Sequence, residues 1–202
     1  MSQLSKAFIE VTLKQDWLYY DPDTNTVLHL ENGQKSLLDQ LEKSEDKTLH
    51  FSLDAICFSL VPQTLFESSS APRYLDLHHS DLENTFVDFV SLDFSPIELV
   101  YAFPLQLTDR IRQISDHCHL HFKSKALLEW IMQHTESNDM ELWVLPQNIS
   151  ISLTLVNKGR LAFHNTFSSD TWKDQLYYVM ALIDQQQDLD TKNVKLKLLG
   201  VD

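Results

Sequence analysis

Two stretches of this chain carry the same order of elements, and that order limits its fold more than any other feature. Residues 141–145, 149–156 and 160–167 read as three strands, the clearest meander in the chain. Pro146-Gln147-Asn148 and Asn157-Lys158-Gly159 supply the turns between them. Ser168 and Ser169 offer helix N-caps, Asp170 suits the positive end of a helix dipole, and Trp172, Leu176, Val179, Met180 and Ile183 form an apolar stripe predicted to face inward. A polar connection over 188–193 leads to a closing strand at 194–199. The N-terminal stretch repeats this order. Residues 7–13 and 17–20 read as a hairpin, 27–30 as a third strand, and Leu37, Leu38 and Leu41 share a helical face. A long β-rich run over 49–61, broken near Asp54-Ala55, stops at Pro62.

Strand, strand, strand, helix, strand, read twice without matching residue identities, predicts a duplicated unit in a mixed α and β fold. Between the copies, 67–96 reads as an insertion. It is followed by a strand at 97–103, an amphipathic helix carrying Leu107, Ile111 and Ile114, and a short strand at 119–122. Ser124 is the expected cap of a helix whose Leu127, Leu128 and Ile131 face inward. The predicted division is a first subdomain over 1–136, with its insertion at about 67–96, and a second, incomplete subdomain over 137–202.

Composition excludes several functions. The chain has 202 residues with 16 Lys and Arg against 29 Asp and Glu, a formal net charge of -13. That balance opposes direct contact with nucleic acid, which needs clustered cations, and with an acidic membrane surface. No apolar stretch reaches the roughly 20 residues of a membrane-spanning helix, and the first residues lack the apolar segment of a secretory signal. Cys57 and Cys118 have no Cys-x-x-Cys spacing, so a reducing, cytoplasmic setting is expected.

Several segments share a further likeness. They are Leu49-His50-Phe51-Ser52-Leu53, Phe58-Ser59-Leu60-Val61-Pro62-Gln63-Thr64-Leu65-Phe66, Leu99-Val100-Tyr101-Ala102-Phe103, Gly159 to Phe167, and Asp174-Gln175-Leu176-Tyr177-Tyr178. Together these resemble a bacterial family of unknown function, DUF3822, found mainly in Bacteroidetes. The resemblance implies an actin-like ATPase fold, ribonuclease H-like, of two related β-β-β-α-β subdomains. It implies no catalytic residues. It also implies further helix and strand after the last strand seen here, so this copy is expected to be a shortened form or a fragment.

Active members of that superfamily bind ATP between two domains, each lending backbone N–H groups to phosphate through a glycine-containing hairpin turn. Glycine serves there because backbone must approach phosphate closely. Here the first such turn reads Leu13-Lys14-Gln15-Asp16-Trp17 and the second Leu145-Pro146-Gln147-Asn148-Ile149. Neither contains glycine, and Pro146 has no N–H to offer. Asp16 and Asp54 as metal carboxylates, and Gly200 as an adenosine-contacting loop, read more simply as turn chemistry. His119 and His121 fall on one strand face beside His117, and His78 and His79 lie beside Asp76 and Asp81, but neither spacing matches a metal motif. No base is evident for Cys57 or Cys118 as a nucleophile. Trp17, Tyr19, Tyr20, Trp143 and Trp172 read as core, and at least one of the adjacent Tyr177 and Tyr178 must point away from the Trp172 stripe.

The expectation is therefore a cytoplasmic protein with a degenerate, noncatalytic scaffold. It has no catalytic residues, metal or cofactor, and acts by binding another protein rather than nucleic acid or membrane. A nucleotide-binding switch with altered phosphate loops, and a small-ligand or metal sensor, are the alternatives.

Overall fold

The computed structural model describes residues 5–11, 17–21, 26–30, 47–76, 82–114, 118–136, 139–185 and 194–200. The chain divides into two compact units, 1–127 and 128–202.

Unit 1 contains a five-stranded sheet built from β1 (Ser5–Val11), β2 (Trp17–Asp21), β3 (Thr26–Leu30), β4 (Lys47–Leu53) and β8 (Cys118–Phe122). Its order is β3-β2-β1-β4-β8, antiparallel through the first hairpins and parallel where β4 joins β1 and where β8 joins β4. The helix expected near Leu37 and Leu41 lies outside the described residues. The run 49–61 breaks as its Asp-Ala pair suggested: β4 ends at Leu53, and β5 (Cys57–Pro62) begins a separate sheet. In that sheet β7 (Ile97–Pro104) lies between β5 and β6 (Thr85–Ser91), and all pairings are antiparallel. As the central strand β7 is covered on both faces, so its residues from Leu99 to Phe103 are apolar without alternation and buried. Helix α1 (Ala71–Asp76) presses Ala71 and Leu75 against Cys57, Val61, Val100 and Ala102. Helix α2 (Leu105–Ile114) buries Leu107, Thr108 and Ile111 before β8.

Helix α3 (Lys123–His134) buries Leu128 and Ile131 as expected, but it begins at Lys123. Ser124 is thus a buried residue of the first turn and not its cap. In unit 2, β9 (Met140–Pro146), β10 (Ser150–Asn157) and β11 (Arg160–Ser168) form the expected meander. Lys158 and Gly159, at φ 50° and 71°, make the tight β10–β11 turn. Two successive left-handed residues match the twist of a hairpin, and glycine takes that conformation without strain. Helix α4 (Trp172–Gln185) crosses the sheet, and β12 (Val194–Leu198) pairs in parallel with β9. The order β11-β10-β9-β12 repeats β3-β2-β1-β4 strand for strand, so the duplication read from the sequence is present in the topology.

The stripe of α4 is turned from its expected direction. Tyr178, Val179, Leu182 and Ile183 pack over Leu142, Val144, Ile151, Leu153 and Leu155. Trp172, Leu176 and Met180 remain at least half exposed. Of the tyrosine pair, Tyr178 stacks on Phe167 with centroids 4.4 Å apart, while Tyr177 points to solvent. The cap differs too. Ser168 is the last residue of β11, and Thr171 closes the helix.

Candidate functional site

The hairpin end of unit 2, where β9 turns into β10, holds the second turn that the fold would aim at a phosphate. Part of its backbone is bonded internally. The Gln147 N–H donates to the Ser150 carbonyl at 2.9 Å, and the Ser150 hydroxyl donates to Gln147 Oε1 at 2.5 Å. From α4, Gln175 Nε2 donates to the carbonyls of Gln147 at 2.7 Å and Ser150 at 3.4 Å. The Ser169 N–H reaches the Ile149 carbonyl at 2.9 Å, tying β11 to the turn.

The helix start beside this turn is closed by its own side chains. The N–H and hydroxyl of Thr171 donate to Asp174 Oδ2 at 3.0 and 2.8 Å. The Asp174 N–H returns a bond of 3.3 Å to Thr171 Oγ1. This reciprocal box occupies donors that a helix N-terminus would otherwise offer to an anion. Asp170 and Asp174 add negative charge at the same place. Chemically, the site is a turn braced by Gln175 beside a helix start capped by its own side chains. Neither Gln175 nor Thr171 was singled out from the sequence, although Thr171-x-x-Asp174 has the spacing of a capping box. The first turn and Asp16 lie outside the described residues.

The other candidates disperse. His119 and His121 do share a face, and the parallel register of β4 and β8 adds His50. His50 Nδ1 and His121 Nε2 lie 2.9 Å apart, with the His50 ring stacked on both partners. Burial, then His119 and Lys125, lowers the His121 pKa. Only the His50 and His121 nitrogens meet, in a hydrogen bond that uses one ring nitrogen of each. Among the described residues no group of three or more His, Cys, Asp or Glu side chains is arranged to hold a metal ion. His117, His78, His79 and Asp81 lie outside the described residues. Asp54 sits 3.9 Å from Lys123 in an ion pair. Neither cysteine is in a disulfide, and burial raises the Cys57 thiol pKa, the opposite of nucleophile activation. Gly200, at φ 72°, turns the chain beside Leu145.

Glu141 is a polar feature that the sequence did not single out. It is fully buried on β9 and accepts from Trp143 Nε1 at 2.9 Å and from the Glu136 N–H at 3.2 Å, with Lys197 3.9 Å away. These partners satisfy a carboxylate that would otherwise be costly to bury. On the solvent side Lys195 bridges Glu136 and Asp139, each at 2.7 Å.

A family model described as a protein of unknown function, DUF3822, matches residues 27–201. No curated relative matches the sequence. Among solved structures, a Bacteroides thetaiotaomicron protein described as having an actin-like ATPase fold and unknown function is 15% identical. The match covers 100% of this chain and 86% of that one, with a TM-score of 0.78. The cytoplasmic domain of EpsL, an inner membrane component of the Vibrio cholerae type II secretion system, is 12% identical. That match covers 96% and 81% of the two chains with a TM-score of 0.54. A chain of the PilM–PilN type IV pilus biogenesis complex is also 12% identical, with coverage of 94% and 67% and a TM-score of 0.53. At these identities the likeness establishes the fold alone, a mixed α and β fold of the actin-like ATPase type. Among the described residues no helix is long and apolar enough to cross a membrane.

Proposed function

Since the chain belongs to the DUF3822 family, whose description assigns no function, we propose that it is a noncatalytic actin-like scaffold that works by binding another protein. The braced turn of unit 2 carries this reading. Where phosphate binding calls for free N–H groups, this turn has Pro146, a committed Gln147 N–H and carbonyls held by Gln175. The adjoining helix start is self-capped and acidic. Exposed Trp172, Leu176 and Met180 supply the kind of surface on which protein partners anchor. Two structures of similar fold are described as parts of larger assemblies, a secretion system and a pilus biogenesis complex. Two cysteines without a disulfide support a reducing, cytoplasmic compartment.

Thermal unfolding with millimolar ATP and magnesium, against ADP and no nucleotide, tests this reading. The expected result is an unchanged midpoint. A ligand at one hundred times its dissociation constant would add about 2.7 kcal/mol. For a chain of this size that is a rise of roughly 5 to 10 °C, which would overturn the scaffold in favour of a nucleotide-dependent switch.

A further inference from the structure

The second sheet of unit 1 holds a buried carboxylate that is only half satisfied. Glu98, near the start of the central strand β7, is 7% exposed. Its Oε1 accepts from Ser91 Oγ at 2.7 Å and from Gln63 Nε2 at 2.9 Å. Its Oε2 is buried too and has no hydrogen-bond partner among the described residues. A carboxylate oxygen removed from water without a donor is costly, and here two donors share one oxygen while the other has none. The four arginines of the chain, Arg73, Arg110, Arg112 and Arg160, are all described, and none forms an ion pair with Glu98.

The cover over this carboxylate is thin. Gln63 and Ser91 are both exposed residues, so the groups that screen Glu98 are themselves surrounded by water. Exposed aromatic surface adjoins it. Ser91 lies opposite Glu98 and Phe89 opposite Val100, which puts Phe89 on the same face and diagonal to Glu98, roughly 7 to 8 Å away along the backbone. Phe89 is 39% exposed, and its ring meets that of Phe66 with centroids 4.8 Å apart. Phe66 is held from behind by Tyr74, stacked at 5.7 Å. The Tyr74 hydroxyl donates to the Leu65 carbonyl at 2.7 Å and accepts from the Glu67 N–H at 2.9 Å, fixing the backbone on both sides of Phe66.

We propose that Glu98, with the Phe66 and Phe89 rings, forms a binding site for a guanidinium group, whose N–H donors meet Glu98 Oε2 while its plane lies against Phe89. A guanidinium suits both halves of the site. It offers donors in a flat fork, is weakly hydrated, and is attracted to an aromatic face. An ammonium group lacks that flat face and holds its water more tightly. A metal ion fits less well, since among the described residues no group of three or more His, Cys, Asp or Glu side chains is arranged to hold one. The net charge of -13 draws cations toward the chain. The proposal goes beyond the protein-binding reading and does not depend on it, because a guanidinium can arrive as free arginine or as an arginine side chain of a polypeptide.

The probes are N-acetyl-arginine amide, N-acetyl-lysine amide and free L-arginine, titrated into the full chain at constant ionic strength and followed by backbone NMR. The arginine amide is expected to saturate, with shifts centred on Gln63, Phe89, Ser91 and Glu98, and to bind at least about fivefold more tightly than the lysine amide. Glu98→Gln keeps the size of the side chain and an acceptor for Ser91 and Gln63 but removes the charge, and should weaken binding by about tenfold or more. Phe89→Ala, at an exposed position, should weaken it about threefold or more and carries the test if Glu98→Gln does not fold by circular dichroism. The absence of saturable binding, equal affinity for the arginine and lysine amides, or an unchanged affinity in either folded variant overturns the proposal. Where the arginine amide binds, free L-arginine that binds at least as tightly identifies a free small molecule as the ligand. Tighter binding of the capped form identifies an arginine within a polypeptide.

Discussion

His164 sits mid-strand in β11 with its ring buried and its Nδ1 2.8 Å from Thr154 Oγ1. Burial holds its pKa down at about 4, a bond to the Leu153 backbone offsetting part of the effect. Because the folded value lies below the ordinary 6.5, the unfolded chain binds the proton more readily. The stability contributed is full above about pH 6.5 and is lost as pH falls toward 4. That loss is on the order of 3 kcal/mol. His121, whose pKa is also lowered, acts in the same sense. Denaturant midpoints measured from pH 7.5 to 4.5 should fall more steeply for the natural chain than for His164→Asn, and parallel curves would contradict this account. Residue pairings of this kind were half legible. The spacing of His119 and His121 places them on one strand face, but His50 is 71 residues from His121 and arrives only through the parallel register of β4 and β8. No local pattern encodes that register.

Helix α4 shows what periodicity conveys about an element. Trp172, Leu176 and Met180 do share a face, as their spacing requires, but the sheet takes the neighbouring face through Tyr178, Val179, Leu182 and Ile183. An apolar arc broader than the buried contact leaves the choice of face to the partner surface. Leu182→Ala should therefore cost about 2 to 5 kcal/mol, the usual range for emptying a packed site. Trp172→Ala, at an exposed position, should cost less than about 1 kcal/mol. Equal losses in urea unfolding would show that Trp172 is buried in solution. The cap was readable and misplaced. Ser168 and Ser169 were the expected caps, but it is Thr171 that has a carboxylate three residues on to accept from its N–H and hydroxyl, with the Asp174 N–H returning a bond. β6 escaped notice because Thr85 to Ser91 sits in a segment read as an insertion, and its partner β7 follows it only after a turn.

At the scale of the whole molecule, the acidic balance yields a prediction independent of any site. With a net charge of -13, the chain should show no retardation with duplex DNA or structured RNA in a mobility-shift assay even at about 50 mM salt, where phosphate contacts are strongest. Saturable binding there would reveal a basic patch that the net charge hides. The sequence by itself determined the meander of unit 2, the repeated order of elements, the break at Asp54-Ala55 and the absence of glycine from both hairpin turns. Each is a local matter of alternation, turn chemistry or residue type. Only the tertiary structure decided that Gln175 braces the second turn, that Glu141 is buried under Trp143 and Lys197, and that β8 pairs in parallel beside β4. Those outcomes depend on which distant surfaces meet, and packing free energy is settled between elements rather than within them.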